Sequence, residues 1–312
     1  MRRHILHYKV LFLQLNLIFS ALSVTAQNYV NNGSFEDYGE CQAPYVYMDV
    51  SGWYRVPQHA GSPDYFNACT NFWNASIPTS SWGTQIPEDG NAYIGLASYV
   101  YPGEIREYAE TQLSMPLIAG ELYYVSFFVS LVESSKYASN NIGVILTTDQ
   151  VIGSNSFAHL DFIPQIYASE IVTNKEIWTE VSGIYQAIGG EQFLTFGNFH
   201  SDEQTLTILL AESGNDSSYY FIDNVSVSPL LSVSQFDVNV LKIFPNPFSE
   251  ELYVNLENDI IRQVKIYSGA QLIKTLNGNF ENLDLSSLSQ GTYIAVITTN
   301  SGKLLAKKIV KK

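Results

Sequence analysis

The sequence is short of charge, of bases above all, and of cysteine. Charged residues are only 15% of the 312, and 16 Lys and Arg stand against 30 Asp and Glu, a formal net charge of −14. So few bases argue against DNA, RNA or an anionic membrane surface as a partner for the whole chain. So little charge overall argues against a disordered acidic protein, which would be charge-rich and poor in aromatics. Two cysteines without histidines at ligand spacing argue against a zinc site. After residue 26 there is no apolar run long enough to span a bilayer, so no transmembrane segment is expected in the mature chain. No stretch repeats apolar residues at i, i+3, i+4 and i+7 over three turns, which removes long amphipathic helices. Also missing are G-x-S-x-G, H-E-x-x-H and a Walker loop.

What is present points to strands. There are 21 Tyr, 17 Phe, 20 Gly and 11 Pro, and 46% of residues are hydrophobic, enough for a sizeable core. The first 26 residues read as a secretory signal peptide. Arg2, Arg3 and Lys9 precede an apolar stretch over 10–22, followed by the small-residue site Val24-Thr25-Ala26. Export into an oxidising compartment predicts a disulfide between Cys41 and Cys69.

Composition divides the mature chain. A cargo region over 27–232 carries all four Trp (53, 73, 82, 178). A short linker over 233–240 follows, and the last unit over 241–312 has no Trp and more lysine. Residues 27–240 hold 24 acidic and four basic side chains, whereas 241–312 hold six acidic and nine basic. Strand patterns bounded by turn residues occur at 123–131, 142–148, 178–187, 192–199 and 219–227, with a short apolar run at 206–210. The stretch 40–91 reads as a long ordered loop region. The last unit shows strands at 252–256, 263–267, 271–276, 291–298 and 303–310. The predicted fold class is all-β: a jelly-roll sandwich followed by a small antiparallel sandwich.

The last unit carries FPNPF (244–248), LYVNL (252–256), VKIYSGAQLIKTL (264–276), LDLSSLSQGTYIAVI (283–297) and GKLLAKKIVKK (302–312). In order, spacing and position these resemble the type A C-terminal sorting domain of the type IX secretion system of Bacteroidetes. The resemblance implies that residues 241–312 engage the type IX machinery, and that the protein passes through the periplasm to be secreted or displayed on the outer cell surface.

The cargo resembles the galactose-binding-like jelly rolls, which include carbohydrate-binding modules. The likeness rests on Asn32-Gly33-Ser34-Phe35-Glu36 with Gly52-Trp53, and on YFIDNVSV (220–227). It implies that Glu36 and Asp223, on neighbouring first and last strands, help hold a structural calcium ion. Hard carboxylate oxygens suit calcium, with backbone carbonyls filling the remaining positions. SPDYFNAC (62–69), GNAYIGL (90–96) and REYAETQL (106–113) look like exported Bacteroidetes proteins of unassigned function.

Candidates for chemistry remain. Glu104, Glu107 and Glu110 surround Arg106, and two carboxylates could serve glycoside hydrolysis. On a strand, Glu104, Arg106, Tyr108 and Glu110 would share one face, which reads more simply as a surface salt bridge. Asn198, His200, Asp202 and Glu203 could ligate a metal, or simply form a polar turn. His59, His159 and His200 are far apart in sequence, and no Ser sits in a nucleophile elbow. Trp53, Tyr54, Trp73, Trp82, Tyr99 and Tyr101 could stack on sugar rings, or could be core. The leading expectation is a non-catalytic binding or adhesion protein for a neutral glycan. The alternatives are a glycan or ester hydrolase with a site in the 40–110 loops, and a structural surface protein that binds another protein.

Overall fold

The computed structural model describes residues 27–39, 41, 50–232, 241–257, 259–278 and 282–312. The expected signal peptide, the linker 233–240 and most of 40–49 lie outside the described residues.

The strands of the two main cargo sheets, in chain order, are β1 (Trp53–Arg55), β2 (Asp64–Asn67), β3 (Ala92–Val100), β4 (Ala109–Gln112), β5 (Leu122–Leu131), β6 (Ile142–Thr147), β7 (Ile166–Tyr167), β8 (Thr179–Gln186), β9 (Phe193–Asn198) and β10 (Ser217–Pro229), and short strand pairs at 79–84 and between 137–139 and 207–209 stand apart from them. They form two antiparallel sheets, ordered β1-β4-β9-β6-β7 and β8-β5-β10-β3-β2. Among the described residues the one helical element is the 3-10 turn Asp202–Gln204. The β-sandwich expectation therefore holds.

Alternation explains how the sheets meet. On β5, Val125, Phe127, Val129 and Leu131 face inward and pack against Val144 and Leu146 of β6 and Leu194 and Phe196 of β9. The Phe127 and Phe196 rings meet edge to face at 4.8 Å. Each such buried ring contributes roughly 2–3 kcal/mol from area alone. The segment before Phe35 runs beside the last strand: Tyr29 N–H donates to the Val227 carbonyl at 2.7 Å, and Val225 N–H to the Gly33 carbonyl at 2.9 Å. A Cβ at Gly33 would sit 2.2 Å from the Val225 oxygen, so only glycine permits this approach.

Two sequence expectations need correction, and one strand was not expected. The region 40–91 is more than loop, because β1 and β2 add an edge strand to each sheet. Strand β3 has no alternating pattern because both of its faces are covered, the outer one by Phe66, Trp82 and Trp178. Residues 104–108 precede β4 and do not form a strand, so the shared face expected there does not exist. Cys41 and Cys69 are bonded as expected, with Cα atoms 5.8 Å apart and a sequence separation of 28.

The tail contains β11 (Leu231–Ser232), β12 (Leu241–Phe244), β13 (Glu251–Leu256), β14 (Ile261–Ser268), β15 (Gln271–Asn277), β16 (Asn282–Asp284), β17 (Gly291–Thr299) and β18 (Leu304–Lys311). Its sheets run β11-β18-β17-β14-β15 and β12-β13-β16. Leu252, Val254, Val264, Ile266, Ile297 and Ile309 fill the space between them. No helix among the described residues is long and apolar enough to cross a membrane.

Candidate functional site

A cavity of about 390 Å³ opens at the edge of the second sheet, lined by Ser62, Asp64, Trp82, Glu107, Asp216 and Tyr219 among others. Its construction follows from three local features. The pairing of β10 with β3 slips between Ser218 and Tyr219, so that Tyr219 faces Ala97 rather than Ser98. The Ala97 amide donates to Glu107 Oε2 at 2.8 Å, and the Ser62 amide donates to Glu107 Oε1 at 3.2 Å. At Gly61 a Cβ would lie 2.4 Å from the Arg106 carbonyl, so glycine lets this loop close on Glu107.

Asp64 opens edge strand β2, opposite Gly95 of β3. A Cβ at Gly95 would lie 2.5 Å from the Tyr219 ring. Without it, the ring lies over the strand and its hydroxyl donates to Asp64 Oδ2 at 2.6 Å. Trp82 stacks on the other side of Tyr219, with centroids 4.1 Å apart and planes 15° apart. The result is an aromatic wall beside two carboxyl groups.

Burial governs the electrostatics. It pushes the Glu107 carboxyl up to about 8, helped by the charge of Asp64 and opposed by the amides of Ala97 and Ser62. It pushes Asp64 up to about 6, opposed by the Tyr219 hydroxyl. Among the described residues no Lys, Arg or His lines the cavity, and the third acid at its rim, Asp216, is already paired with Lys136 at 2.8 Å. Both carboxyls are raised and each disfavours a charge on the other, so the pair favours holding one proton: a hydrogen-bond donor beside an acceptor, or a general acid and a base.

The other acids of the 104–110 cluster go elsewhere. Glu104 meets His159 Nδ1 at 2.8 Å. Glu110 is buried and accepts from the Val151 amide and the Thr195 hydroxyl. Arg106 is fully buried, donating to Asp202 at 2.7 Å and to the His200 carbonyl. Asn198 bonds the Ser98 carbonyl and Thr205, so the 198–203 segment is a polar turn that ties loops together. Among the described residues no group of three His, Cys, Asp or Glu is placed to hold a metal ion.

The six aromatic candidates do not share one cleft. Trp53 is a core residue, 3% exposed and packed between Phe35 and Phe196, so it has no face left for a ligand. Tyr99 is also buried, against Tyr137. Tyr54 is half-buried in the edge strand β1, beside Glu110 on β4. Trp73 and Tyr101 are exposed, at 64% and 55%. Of the six, only Trp82 lines the Asp64–Glu107 cavity. Sequence reading did not single out Asp64 or Tyr219, although SPDYFNAC and GNAYIGL contain Asp64 and the Gly95 that admits Tyr219.

Glu36 and Asp223 converge on the turn 88–91. Asp223 is fully buried and accepts from the amides of Glu88, Asp89 and Asn224 at 2.7–3.0 Å. Burial still drives its carboxyl up to about 8. Glu36 accepts from the Asn91 amide at 2.6 Å. Two hard carboxylates beside one turn, with no ion pair to either among the described residues, suit a divalent cation in charge. The amides that now face both side chains would have to give way to it.

A second, larger cleft of about 620 Å³ is lined by Ile86, Phe128, Ile177 and Trp178 with Glu88, Glu133 and Glu176. Glu88 connects it with the calcium candidates: its amide donates to Asp223, and its carboxylate accepts from Asn224.

No curated protein matches the sequence. Among solved structures, the chain is similar to a cyclase from Fischerella sp. TAU, with 10% identity over 64% of this chain and 94% of that one, and a TM-score of 0.40. A CBM4 structure shares 14% identity over 64% of this chain and 98% of that one, with a TM-score of 0.24. The adhesin domain of Epf from Streptococcus pyogenes shares 9% identity over 71% and 76%, with a TM-score of 0.26. Likenesses this distant carry no functional argument. At the other end of the chain, residues 242–312 match the family model of the secretion system C-terminal sorting domain, and this tail marks the protein for secretion by the type IX system to the cell surface or the medium.

Proposed function

We propose that the exported cargo is a binding protein that holds a small polar ligand, a neutral glycan by preference, in the Asp64–Glu107–Tyr219 pocket. The observation that supports this is the pairing of two carboxyl groups with an aromatic wall in a cavity that no cationic side chain among the described residues lines. A sugar ring lies flat on Trp82, while Glu107 donates to one hydroxyl and Asp64 accepts from another. Calorimetric titration with a panel of neutral saccharides tests it. Binding should weaken about tenfold or more in Asp64→Asn and in Trp82→Ala, since each removes a hydrogen bond to charge or a stacking face. Saccharide binding that survives both variants, or no binding to any member of the panel, would sink the reading.

Two buried carboxyls that repel each other's charge support a second reading: a hydrolase with Glu107 as general acid. Its mark is product released from a glycan or an ester, lost in Glu107→Gln while binding persists. Binding without product separates the first reading from the second. A structural calcium at Glu36 and Asp223 belongs to either.

A further inference from the structure

The tail's five-stranded sheet has two buried faces, and only one belongs to its own core. Along β14, Val264 and Ile266 point into the tail sandwich. Lys265 and Tyr267, which alternate with them, are 4% and 0% exposed because the cargo covers them. Tyr267, Val296 and Ala306 form one apolar cluster with Tyr124, Ile184 and Leu230 of the cargo.

A polar lock sits inside that contact. Lys265 Nζ donates to Glu180 Oε1 at 2.5 Å and to the Tyr124 hydroxyl at 2.8 Å, and lies 5.5 Å over the Tyr124 ring. Tyr124 in turn donates to Glu180 at 2.7 Å. The Tyr267 and Ser182 hydroxyls are 3.1 Å apart. At Gly183 a Cβ would meet the Ala270 carbonyl at 3.0 Å, so the glycine admits the tail's 268–271 turn.

The connection to the tail adds a main-chain contact. Residues 231–232 precede the segment 233–240, yet they pair in parallel with Leu305 and Ala306 of β18. A cut anywhere in 233–240 leaves that strand attached to the cargo and still seated on the tail sheet.

We infer that the cargo carries a docking site for its own sorting tail, keyed by Glu180 and Lys265, and that cutting the connecting segment does not by itself separate the two. The cargo bears 24 acidic against four basic residues over 27–240, and the tail nine basic against six acidic, so long-range attraction acts in the same sense. Release then requires a second event that breaks the lock or competes for the tail's sheet.

The test uses the full chain with a site-specific protease sequence placed within 233–240. After complete cutting, the two pieces should co-elute in size-exclusion chromatography at micromolar concentration. Glu180→Lys places two cations together in a buried contact and should weaken the association by about a hundredfold or more, separating the pieces. The charge swap Glu180→Lys with Lys265→Glu should restore co-elution, which repair of a merely misfolded variant would not do. Separation of the cut wild-type pieces overturns the proposal. So does co-elution of the cut Glu180→Lys variant, or a swap that fails to rescue while the uncut swap protein keeps the wild-type tryptophan fluorescence melting curve.

Discussion

The two sandwiches use polar residues in opposite ways. In the tail, three polar side chains are buried among the described residues, Lys265, Thr299 and Lys311. Lys311 caps the carbonyls of Leu285 and Ser286, Thr299 accepts from the Lys303 amide in its own turn, and Lys265 binds the cargo. The cargo instead buries carboxylates such as Glu110, Glu191 and Asp223 against backbone amides. It also uses Gly33, Gly61 and Gly95 to bring chain segments closer than a side chain would allow. One sandwich is regular enough to be recognised whatever it is attached to. The other spends regularity on a pocket.

The disulfide should separate the two most strongly. It pins the irregular 40–91 part of the cargo, and the tail has no counterpart. Replacing Cys41 and Cys69 with Ser should cost the cargo about 3 kcal/mol through the freed loop. All four Trp lie in the cargo, so denaturation followed by tryptophan fluorescence reads that loss directly. Hydrogen exchange of the β14 and β17 amides should stay as in the wild type. Equal loosening of both units would mean that they unfold as one, and the contrast would fail.

Calcium offers a smaller effect of the same kind. At a free concentration a hundredfold above its dissociation constant, a bound ion stabilises by about 2.7 kcal/mol. If Glu36 and Asp223 hold it, calcium raises the fluorescence melting temperature and EDTA reverses the change, while Asp223→Asn abolishes the response. A melting temperature indifferent to both reagents would leave Asp223 as an amide-bound structural acid.

How far the sequence could be read differs between the units for the same physical reason. In the tail, the apolar and polar side chains alternate in LYVNL (252–256) and QVKIY (263–267), which placed β13 and β14 to within two residues. In the cargo, β5, β6, β8, β9 and β10 were also legible. Strand β3 was not, because Gly95, Ala97 and Ser98 interrupt the run of large strand-forming side chains that marked β5, β6 and β10. The pocket was harder still. Glu107 was a candidate, but its partner Asp64 lies 43 positions earlier, and only the pairing of β2 with β3 and the bulge at Ser98 bring Tyr219 to it. Glu104 and Glu110, close in sequence, point to His159 and Val151 instead. Proximity along the chain selected the wrong partners for Glu107.

The smallest predicted effect comes from pH, where the units should respond with opposite signs. Glu107 is held at about 8, above its ordinary 4.5. The folded cargo therefore binds this proton more tightly than the unfolded chain does. The stability it contributes is complete below the unfolded value and is lost as pH rises through about 8. Between pH 6.5 and 8.5 the cargo melting temperature should fall by roughly 4–8 °C through Glu107 alone. Asp223, also raised to about 8, acts in the same sense, so Glu107→Gln should flatten the slope without abolishing it. In the tail, hydroxyls of Ser301 and Thr299 hold exposed Asp259 down to about 2, and Ser286 lowers Asp284. Their contribution is present above the ordinary carboxylate range and is lost as pH falls toward 2. Protection of the tail amides should therefore be flat from pH 6.5 to 8.5 and should drop only in acid. A cargo melting temperature that rises across that alkaline window would mean that Glu107 is ionised in the folded state, and the pocket would lose its donor.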